Sequence, residues 1–393
     1  MNALAPILAM LCLLSWAGVE AADEGDLRVH GFAAIATVHT DENSFFGDSQ
    51  DWSTDFFEAG LNASYRVNSR VMVAGQVLAR RAGELYDGSP QIDYALANIG
   101  LWQGQNYATV LRLGRIKNPL GLYNETRDVP FTRPSIFLPQ SVYFDETRNA
   151  LLATDGATLA GEYRHAAGNI AFSVGVGRPQ ADENAEWTLL GADLPGRLDS
   201  DYDALMSAVS YRSPDEKLQL GLSRYDVSLN YEPAGAFDLP AGTLDLSLNI
   251  ASARYDAGIW TATAEYLYLP QRRSGTGPFL PFTSANGESY YLQGELRLGP
   301  RVTLLGRFER GASDRSDRRG LAQSATTGGL IPPFDFFDRG LTAGLTFQLT
   351  QRFMLRSEYS RREGTYILSA RENPPAGLQK DWHYFAVQAA LRF

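Results

Sequence analysis

Apolar and polar residues alternate along most of the chain, and this two-residue period restricts the fold more than any other feature. In 55–67, alternate positions read Phe57, Ala59, Leu61, Ala63, Tyr65 and Val67 against Phe56, Glu58, Gly60, Asn62, Ser64 and Arg66. The same alternation occurs in 243–254, where Leu244, Leu246, Leu248 and Ile250 alternate with polar residues, and in 289–298 and 340–349. Successive side chains of a strand point to opposite faces of a sheet, so the period indicates strands with one lipid-like face and one wet face. We expect the apolar sets to face lipid.

Sixteen segments show this pattern. They lie near 27–40, 55–67, 70–82, 92–102, 107–117, 156–165, 169–178, 202–213, 217–230, 242–256, 257–270, 287–299, 300–312, 338–349, 352–363 and 380–393.

Short and long connections alternate strictly between these segments. The short ones hold turn-forming residues, as in Asn68-Ser69 and Gly299-Pro300, and the long ones are 41–54, 83–91, 118–155, 179–201, 231–241, 271–286, 313–337 and 364–379. Outer-membrane barrels sort their connections in this way, whereas a soluble β-sandwich does not. The sequence therefore predicts an all-β fold, a 16-stranded antiparallel up-and-down transmembrane β-barrel.

The last segment alternates up to a terminal aromatic residue: Phe385, Val387, Ala389, Leu391 and Phe393. A closing strand that ends in phenylalanine resembles the C-terminal signature of Gram-negative outer-membrane proteins. The first and last strands of a barrel must pair, because an open edge leaves backbone groups unpaired in lipid. We therefore expect the cell outer membrane of a Gram-negative bacterium as the location.

The N-terminal residues have the composition of an export signal. Residues 3–19 are apolar, and Val19 and Ala21 are small residues placed for cleavage after Ala21. We predict a signal peptide over 1–21 and a barrel over 22–393; the alternative is an N-terminal membrane anchor. No stretch of 18 apolar residues follows residue 22, so no transmembrane helix is predicted there.

The composition excludes several classes of function. The formal net charge of −10 argues against a nucleic-acid binder. The one cysteine, Cys12, lies in the predicted signal peptide, so the mature chain would have no disulfide framework and no cysteine-ligated metal. No two of the four histidines are spaced i, i+4, which disfavours a zinc enzyme. We predict no cofactor and no metal.

The longest connection, 118–155, is the third on the outer side. Prolines at 119, 130, 134 and 139 stiffen it, and its aromatic residues can anchor it to a wall. We expect this third extracellular loop to fold into the barrel as a constriction; the alternative is a surface loop that docks on neighbours. Its candidate constriction residues are Glu125, Arg127, Asp128, Arg133, Asp145 and Arg148.

The chain resembles the porin superfamily of Gram-negative outer membranes, whose third loop narrows the channel. The segment Leu113-Gly114-Arg115-Ile116-Lys117-Asn118-Pro119-Leu120-Gly121 resembles the strand-to-loop passage of phosphate-selective porins, a G-x-x-K-x-P-x-G pattern. The resemblance implies trimeric channels for passive diffusion. The chain departs from that group because Lys117, Lys217 and Lys380 are its only lysines, and lysine ladders carry phosphate selectivity there.

The alternation places charged residues on the predicted pore wall. The candidates are Arg66, Arg80, Arg112, Arg164, Arg297, Arg307, Arg356, Glu58, Glu162, Glu295, Glu309 and Glu358. Arginine offers a fixed set of donors to carboxylate, phosphate or sulfate. The wall can therefore favour anions, or it can be a salt-bridged wall that keeps the lumen hydrated. Arg81, Arg115 and Arg310 break the pattern, and we expect them at a rim or after a bulge.

These observations predict an outer-membrane porin, a passive diffusion channel for small hydrophilic solutes or ions with a lean toward anions. Expected partners are outer-membrane lipid and lipopolysaccharide, and other copies of the chain in a homotrimer. Acidic loops such as 41–55 either bind divalent cations that bridge lipopolysaccharide or are simply solvated. The chain is not expected to be an enzyme. The alternatives are a barrel enzyme of phospholipase or protease type, for which His39 and Asp41 lie near the rim, and a plugged receptor or adhesin scaffold.

Overall fold

The computed structural model describes residues 27–191, 194–200, 204–234, 240–275 and 284–393. The predicted signal peptide and Cys12 lie outside the described residues. The strands are β1 (Leu27–Thr40), β2 (Ser53–Arg66), β3 (Val71–Ala82), β4 (Tyr86–Gln103), β5 (Tyr107–Lys117), β6 (Ala153–His165), β7 (Gly168–Pro179), β8 (Gly196–Asp199), β9 (Ala204–Arg212), β10 (Leu218–Pro233), β11 (Gly242–Asp256), β12 (Trp260–Ser274), β13 (Ser284–Arg297), β14 (Val302–Ala312), β15 (Phe337–Gln348), β16 (Phe353–Gly364) and β17 (Asp381–Arg392).

Within these described ranges, the strands close into one antiparallel barrel of sixteen positions. The short strands β8 and β9 follow each other in the chain and both pair with β10, so they share one position. Strand β1 pairs with β2 on one side and with β17 on the other. The predicted barrel is therefore confirmed. Its observed strands begin and end within three residues of most predicted bounds, although β4 begins at Tyr86, six residues early.

Short turns join the strands at one end of the barrel, called here the short-turn end, and long connections join them at the other, the long-loop end. Among the described residues, three short helices lie in the long connections: α1 (Arg148–Leu152), α2 (Glu183–Leu190) and α3 (Leu321–Thr326). No helix in the described part of the chain is both long and apolar enough to span a membrane.

The outer wall carries the apolar set of most strands, as the alternation predicts. Leu61 on β2, Leu292 on β13 and Leu341 on β15 are all more than half exposed. The inward positions that alternate with them hold buried or wet polar residues such as Glu58 and Gln293. This confirms the predicted faces of 55–67, 289–298 and 340–349.

The prediction for 243–254 was wrong. Leu244, Leu246, Leu248 and Ile250 of β11 are buried, and they pack inward in one apolar cluster with α1 and α2. Asp245 therefore points outward on this strand. A two-residue period separates the two faces of a strand but does not say which face is outside, and here residues of α1 and α2 pack on the apolar face.

Arg81, Arg115 and Arg310 point outward near the long-loop ends of their strands. Each is among the last three residues of its strand. Arg81 pairs with Asp55 at 2.9 Å, and Arg115 pairs with Asp155 at 3.5 Å. A carboxylate at these positions offsets part of the cost of an outward arginine.

Candidate functional site

The candidate site is the segment 118–152, which joins β5 to β6. Backbone and side-chain bonds close its base: the Asn118 N–H donates to the carbonyl of Leu152 at 2.8 Å, and the Asn124 side chain donates to the carbonyl of Asn118 at 2.9 Å. Pro130–Thr132 forms a 3-10 turn, and α1 forms the return to the wall. The segment therefore leaves and rejoins the wall at one point, and its remaining contacts are with side chains of other strands.

Asp128 joins the segment to the strands beside it. Its carboxylate binds both Lys117, the last residue of β5, and Arg148 of α1. Lys117 also binds Asp93 at 2.7 Å, and Asp93 accepts a bond from Gln76 at 2.7 Å. Burial raises the pKa of Asp128, but the two cations outweigh it and hold that pKa well below its usual range. The lysine of the G-x-x-K-x-P-x-G pattern is thus held between two carboxylates.

An arginine and an aspartate of the segment, Arg133 and Asp145, bind the wall at β2 and β3. Arg133 forms a two-pronged pair with Glu58, at 3.0 and 2.6 Å. Arg127 binds Asp145 at 3.1 Å, and Arg80 of β3 binds the same carboxylate at 3.0 Å. All five side chains are buried. Paired, buried charges of this kind are strongly coupled, because removing one leaves the other uncompensated.

The segment is also bound to β14 and β16. Arg307 donates to the Ser135 hydroxyl at 2.8 Å, and Arg356 donates to the carbonyl of Ser135 at 3.2 Å. The backbone N–H of Ile136 donates to Glu358 at 3.0 Å. Arg307 and Glu358 bind each other at 3.3 Å, so these wall residues form one buried network with the segment.

A third set of contacts lies on β11, β12 and β13. Glu265 accepts hydrogen bonds from the hydroxyls of Tyr143, Tyr291 and Ser252, the last two at 2.7 and 2.6 Å. The backbone N–H of Leu122 also donates to Glu265, at 2.8 Å. Four donors to one buried carboxylate satisfy most of its hydrogen-bonding capacity.

Aromatic packing fixes the middle of the segment. The ring of Phe137 lies 5.0 to 5.8 Å from those of Phe45, Phe46, Phe56 and Tyr384. Phe45 and Phe46 belong to the connection after β1, so two long connections share one apolar cluster inside the wall. Such clusters add about 0.5–1.5 kcal/mol per aromatic pair beyond simple burial.

The predicted constriction residues differ in exposure. Arg127, Asp128, Arg133, Asp145 and Arg148 are buried and paired, as described above. Glu125 is about half exposed and pairs with Arg112 at 3.4 Å. Only Glu125 of the six thus presents a well-exposed charge.

The predicted pore-wall residues point inward and fall into two groups. One group is buried beneath the loops: Glu58, Arg80, Arg307, Glu309, Arg356 and Glu358. The other is exposed or half-buried toward the short-turn end: Arg66, Arg112, Glu162, Arg164, Glu295 and Arg297. Arg212 and Arg254 belong with the second group.

Several contacts of the site were not predicted from the sequence. Tyr143, Glu265 and Tyr291 bind one another although they lie far apart in the chain, and Lys117 holds Asp128. Only the register of the sheet brings these groups together, so local patterns carry no signal for them. An inward carboxylate in the middle of a strand, such as Glu265 on β12, is the one available hint.

The residues suggested for an enzyme have other partners. The ring of His39 stacks on Trp52 with centroids 5.0 Å apart. Asp41 accepts a bond from the backbone N–H of His383 at 2.7 Å. His39 and Asp41 are thus engaged separately on the outer rim.

No family model and no curated protein matches the chain. Solved structures share its fold at low sequence identity, and three of them illustrate the likeness. The anion-selective porin from Comamonas acidovorans has a TM-score of 0.59 at 12% identity, covering 94% of this chain and 99% of that one. The outer membrane channel DcaP of Acinetobacter baumannii has a TM-score of 0.59 at 11% identity, covering 96% and 99%. OmpF of Salmonella typhi, in a complex with daunomycin, has a TM-score of 0.54 at 13% identity, covering 94% and 98%. The chain thus has the barrel fold of these Gram-negative outer-membrane porins.

Proposed function

We propose that this protein is a passive diffusion channel of the outer membrane and that segment 118–152 crosses and narrows its lumen. One observation carries the proposal: the segment binds inward side chains on nearly opposite sides of the ring. Arg133 binds Glu58 on β2, whereas the backbone N–H of Gly121 donates to Ser223 on β10 at 3.0 Å. These strands are seven positions apart in a ring of sixteen. A segment bound to both walls spans the interior between them.

We infer a lean toward anions from the half-buried and exposed inward arginines, rather than from the arginines of the segment. Arg66, Arg112, Arg164, Arg212, Arg254 and Arg297 retain access to solvent, and they outnumber the inward acids of similar exposure, Glu125, Glu162, Asp256 and Glu295. A surplus of guanidinium groups along a narrow path raises the local concentration of anions. The short pattern at 113–121 does not support a preference for phosphate, because its Lys117 is bound to two carboxylates.

We also propose a homotrimer that lies among outer-membrane lipid and lipopolysaccharide. A trimer form is described for OmpT of Vibrio cholerae, which has a TM-score of 0.57 at 11% identity and is covered completely while covering 94% of this chain. A trimer of closed barrels leaves each channel intact.

Conductance in a planar lipid bilayer tests the channel. We expect steady ohmic steps and a reversal potential that favours anions in a salt gradient. In the variant Arg112→Gln, Arg254→Gln, Arg297→Gln, the reversal potential should move toward cations. The matched control replaces two outward arginines, Arg339→Gln and Arg361→Gln, and should leave it unchanged.

The same measurement separates the alternatives. Absence of current together with hydrolysis of the bilayer lipid would favour the barrel enzyme. Absence of both current and hydrolysis would favour a plugged receptor or adhesin. An unchanged reversal potential in the triple variant would leave the channel standing but reject its proposed anion preference.

A further inference from the structure

One region of the outer wall carries an exposed ion pair at a height where most strands present apolar residues. This region, called here the polar patch, consists of Ser207 on β9, Arg224 and Asp226 on β10, and Ser247 and Asn249 on β11. The Nε and Nη2 atoms of Arg224 donate to Asp226 at 2.6 and 2.7 Å, and its Nη1 donates to Asn249 at 3.3 Å. Ser247 also binds Asp226. The side chains of Arg224 and Asp226 are 55% and 31% exposed, so no loop covers them.

The polar patch lies at mid-height on the wall. A continuous row of paired residues, perpendicular to the strands, passes through Arg224. It begins at Val71, which opens β3 at the short-turn end, and ends at Phe337, which opens β15 at the long-loop end. The intervening members are Ile99, Leu111, Leu159, Val174, Ser207, Arg224, Asn249, Tyr268, Glu288 and Ala312.

Arg224 is six strands from Val71 and five from Phe337 along this row. With strands about 4.8 Å apart and tilted by about 40°, each step rises about 3 Å, which places Arg224 about 18 Å above the first residue of β3. The apolar band of an outer-membrane barrel is about 25 Å tall. Arg224 thus lies inside that band and not at its edge.

The reversed alternation of β10 and β11 explains how the polar patch arises. Tyr225, Val227, Leu246 and Leu248 point inward and pack in the cluster that contains α1 and α2. Their polar neighbours are therefore turned outward. An arginine on the lipid face at the bilayer midplane costs about 2–4 kcal/mol, and pairing with Asp226 offsets only part of that cost. A protein surface that covers the polar patch would keep Arg224 out of lipid and so remove the remaining cost.

A second outward ion pair lies on the same side of the barrel. Arg115 on β5 binds Asp155 on β6. A similar row of paired residues begins at Val29 on β1 and reaches Arg115 after four strands and Asp155 after five. The Arg115 side chain is only 12% exposed, so this second pair presents mainly the carboxylate of Asp155, which is 48% exposed and can meet the more exposed Arg224 of an identical barrel. A closed ring of identical subunits requires two different contact lines on every subunit, and the two pairs supply them.

We propose that the outward face of β5–β11 is the surface through which copies of this chain contact one another in the membrane plane. The face is six strand positions wide, about 25–30 Å, and about 25 Å tall, so it offers roughly 700 Å² to be shared between the two neighbours in a ring, which is less than the about 800 Å² per partner of a standard interface. This inference rests on the proposed homo-oligomeric channel and names its contact face.

Spin labels at two matched serines test the contact face in membranes that contain the full chain. Ser207 lies in the polar patch, opposite Arg224. Ser357 on β16 also points outward at mid-strand, where it faces Leu345 and Val387. The variants Ser207→Cys and Ser357→Cys, each combined with Cys12→Ser, carry a nitroxide whose accessibility to oxygen and to a water-soluble nickel complex is measured.

We expect oxygen accessibility at position 207 to be at least threefold below that at position 357, and nickel accessibility to be low at both. Equal oxygen accessibility would show that the face is in lipid, and high nickel accessibility would show that it is in water; either result overturns the proposal. Conductance of the same samples reports separately whether the channel itself is present.

The mass of the detergent-solubilised protein identifies the partner. In the variant Arg224→Gln, Asp226→Asn, the ratio of monomer to oligomer should be at least tenfold higher than in the control variant Arg339→Gln, Glu363→Gln. The control removes an outward pair at the rim of β15 and β16. A protected label on a monomeric chain, or on a complex with another protein, would exclude a second copy as the partner. A stable oligomer whose position 207 is open to oxygen would retain the homo-oligomer and reject this face.

Discussion

At the scale of single residues, the predicted constriction charges of segment 118–152 are buried and paired except at Glu125. Arg133 and Arg112 make this contrast clear. Arg133 is 7% exposed and paired with Glu58, which is 1% exposed, whereas Arg112 is a third exposed and its partner Glu125 is half exposed. A buried pair resists loss of one member far more than an exposed pair does.

Replacing Arg133 should therefore affect mainly stability, whereas replacing Arg112 should affect mainly ion selectivity. Arg133→Gln is expected to lower the free energy of unfolding by about 3 kcal/mol, because Glu58 loses a two-pronged partner in a buried site. Arg112→Gln should lower it by less than about 1 kcal/mol and instead move the reversal potential toward cations. Denaturant titration and reversal potential, measured on both variants, check the expectation. A stable Arg133→Gln protein with altered selectivity would show that Arg133 lines the conducting path.

Glu146 gives the segment a specific pH dependence. Burial, and then the carboxylates of Asp335 and Glu372, raise the pKa of Glu146 to about 8. The folded protein thus holds a proton on Glu146 between pH 4.5 and 8, where the unfolded chain has released it. Stability from this group is present below pH 4.5 and is lost as the pH rises toward 8.

Glu146→Gln should flatten this dependence. The amide cannot ionise, so the melting temperature of the variant should fall less than that of the unmodified protein between pH 5 and pH 8. The melting temperature is followed by loss of the compact band on gels after heating. Parallel curves for the two proteins would mean that Glu146 is ionised in the folded state across this range.

At the scale of elements, Glu358 connects the segment to the wall at β16. It accepts the Ile136 N–H, binds Arg307 and accepts the hydroxyl of Tyr384 at 2.6 Å. The prolines of the segment prevent it from replacing these contacts with a strand ladder. The position of the segment thus depends on a few side chains of the wall.

Glu358→Ala should release this part of the segment. We expect larger and noisier single-channel conductance, because an unfastened segment samples positions nearer the wall. Glu162→Ala is the matched control, since Glu162 also points inward but binds only Arg164 and Asn169 among the described residues. Identical conductance in the two variants would contradict a constriction held by Glu358.

The elements themselves could be predicted from the sequence because their signals are local. The two-residue period and the turn residues located strands such as 107–117 and 242–256 at their observed bounds. The facing of β11 could not be predicted, since its apolar side chains pack with residues of α1 and α2, which are distant in the sequence. The bonds from Tyr143 to Glu265 and from Arg133 to Glu58 also escaped prediction, because residues far apart in sequence meet only through the register of the closed sheet.

At the scale of the whole molecule, the barrel depends on one seam between its first and last strands. Nine residue pairs join β1 to β17, from Phe32 opposite Arg392 to Thr40 opposite Tyr384. Beyond them, Gly31 and Phe393 exchange two backbone hydrogen bonds, at 3.1 and 3.0 Å. In lipid an open edge would leave every one of these backbone groups unpaired, so the seam is required for the other fifteen contacts between strands to persist.

Gly31 marks the point where the seam is most crowded. The ring of Phe393 covers this glycine so closely that a Cβ atom there would lie 2.2 Å from the ring. Gly31→Val should push the terminal ring away and lower the free energy of unfolding by about 1–3 kcal/mol, the usual range for an overpacked contact. Gly306→Val is the matched control, because Gly306 is an outward glycine on β14 with open space around it, where a branched side chain suits a strand. Thermal unfolding of the folded barrel measures both. If the two variants unfold at the same temperature, closure does not depend on the packing of Phe393 over Gly31, and the backbone pairs alone hold the seam.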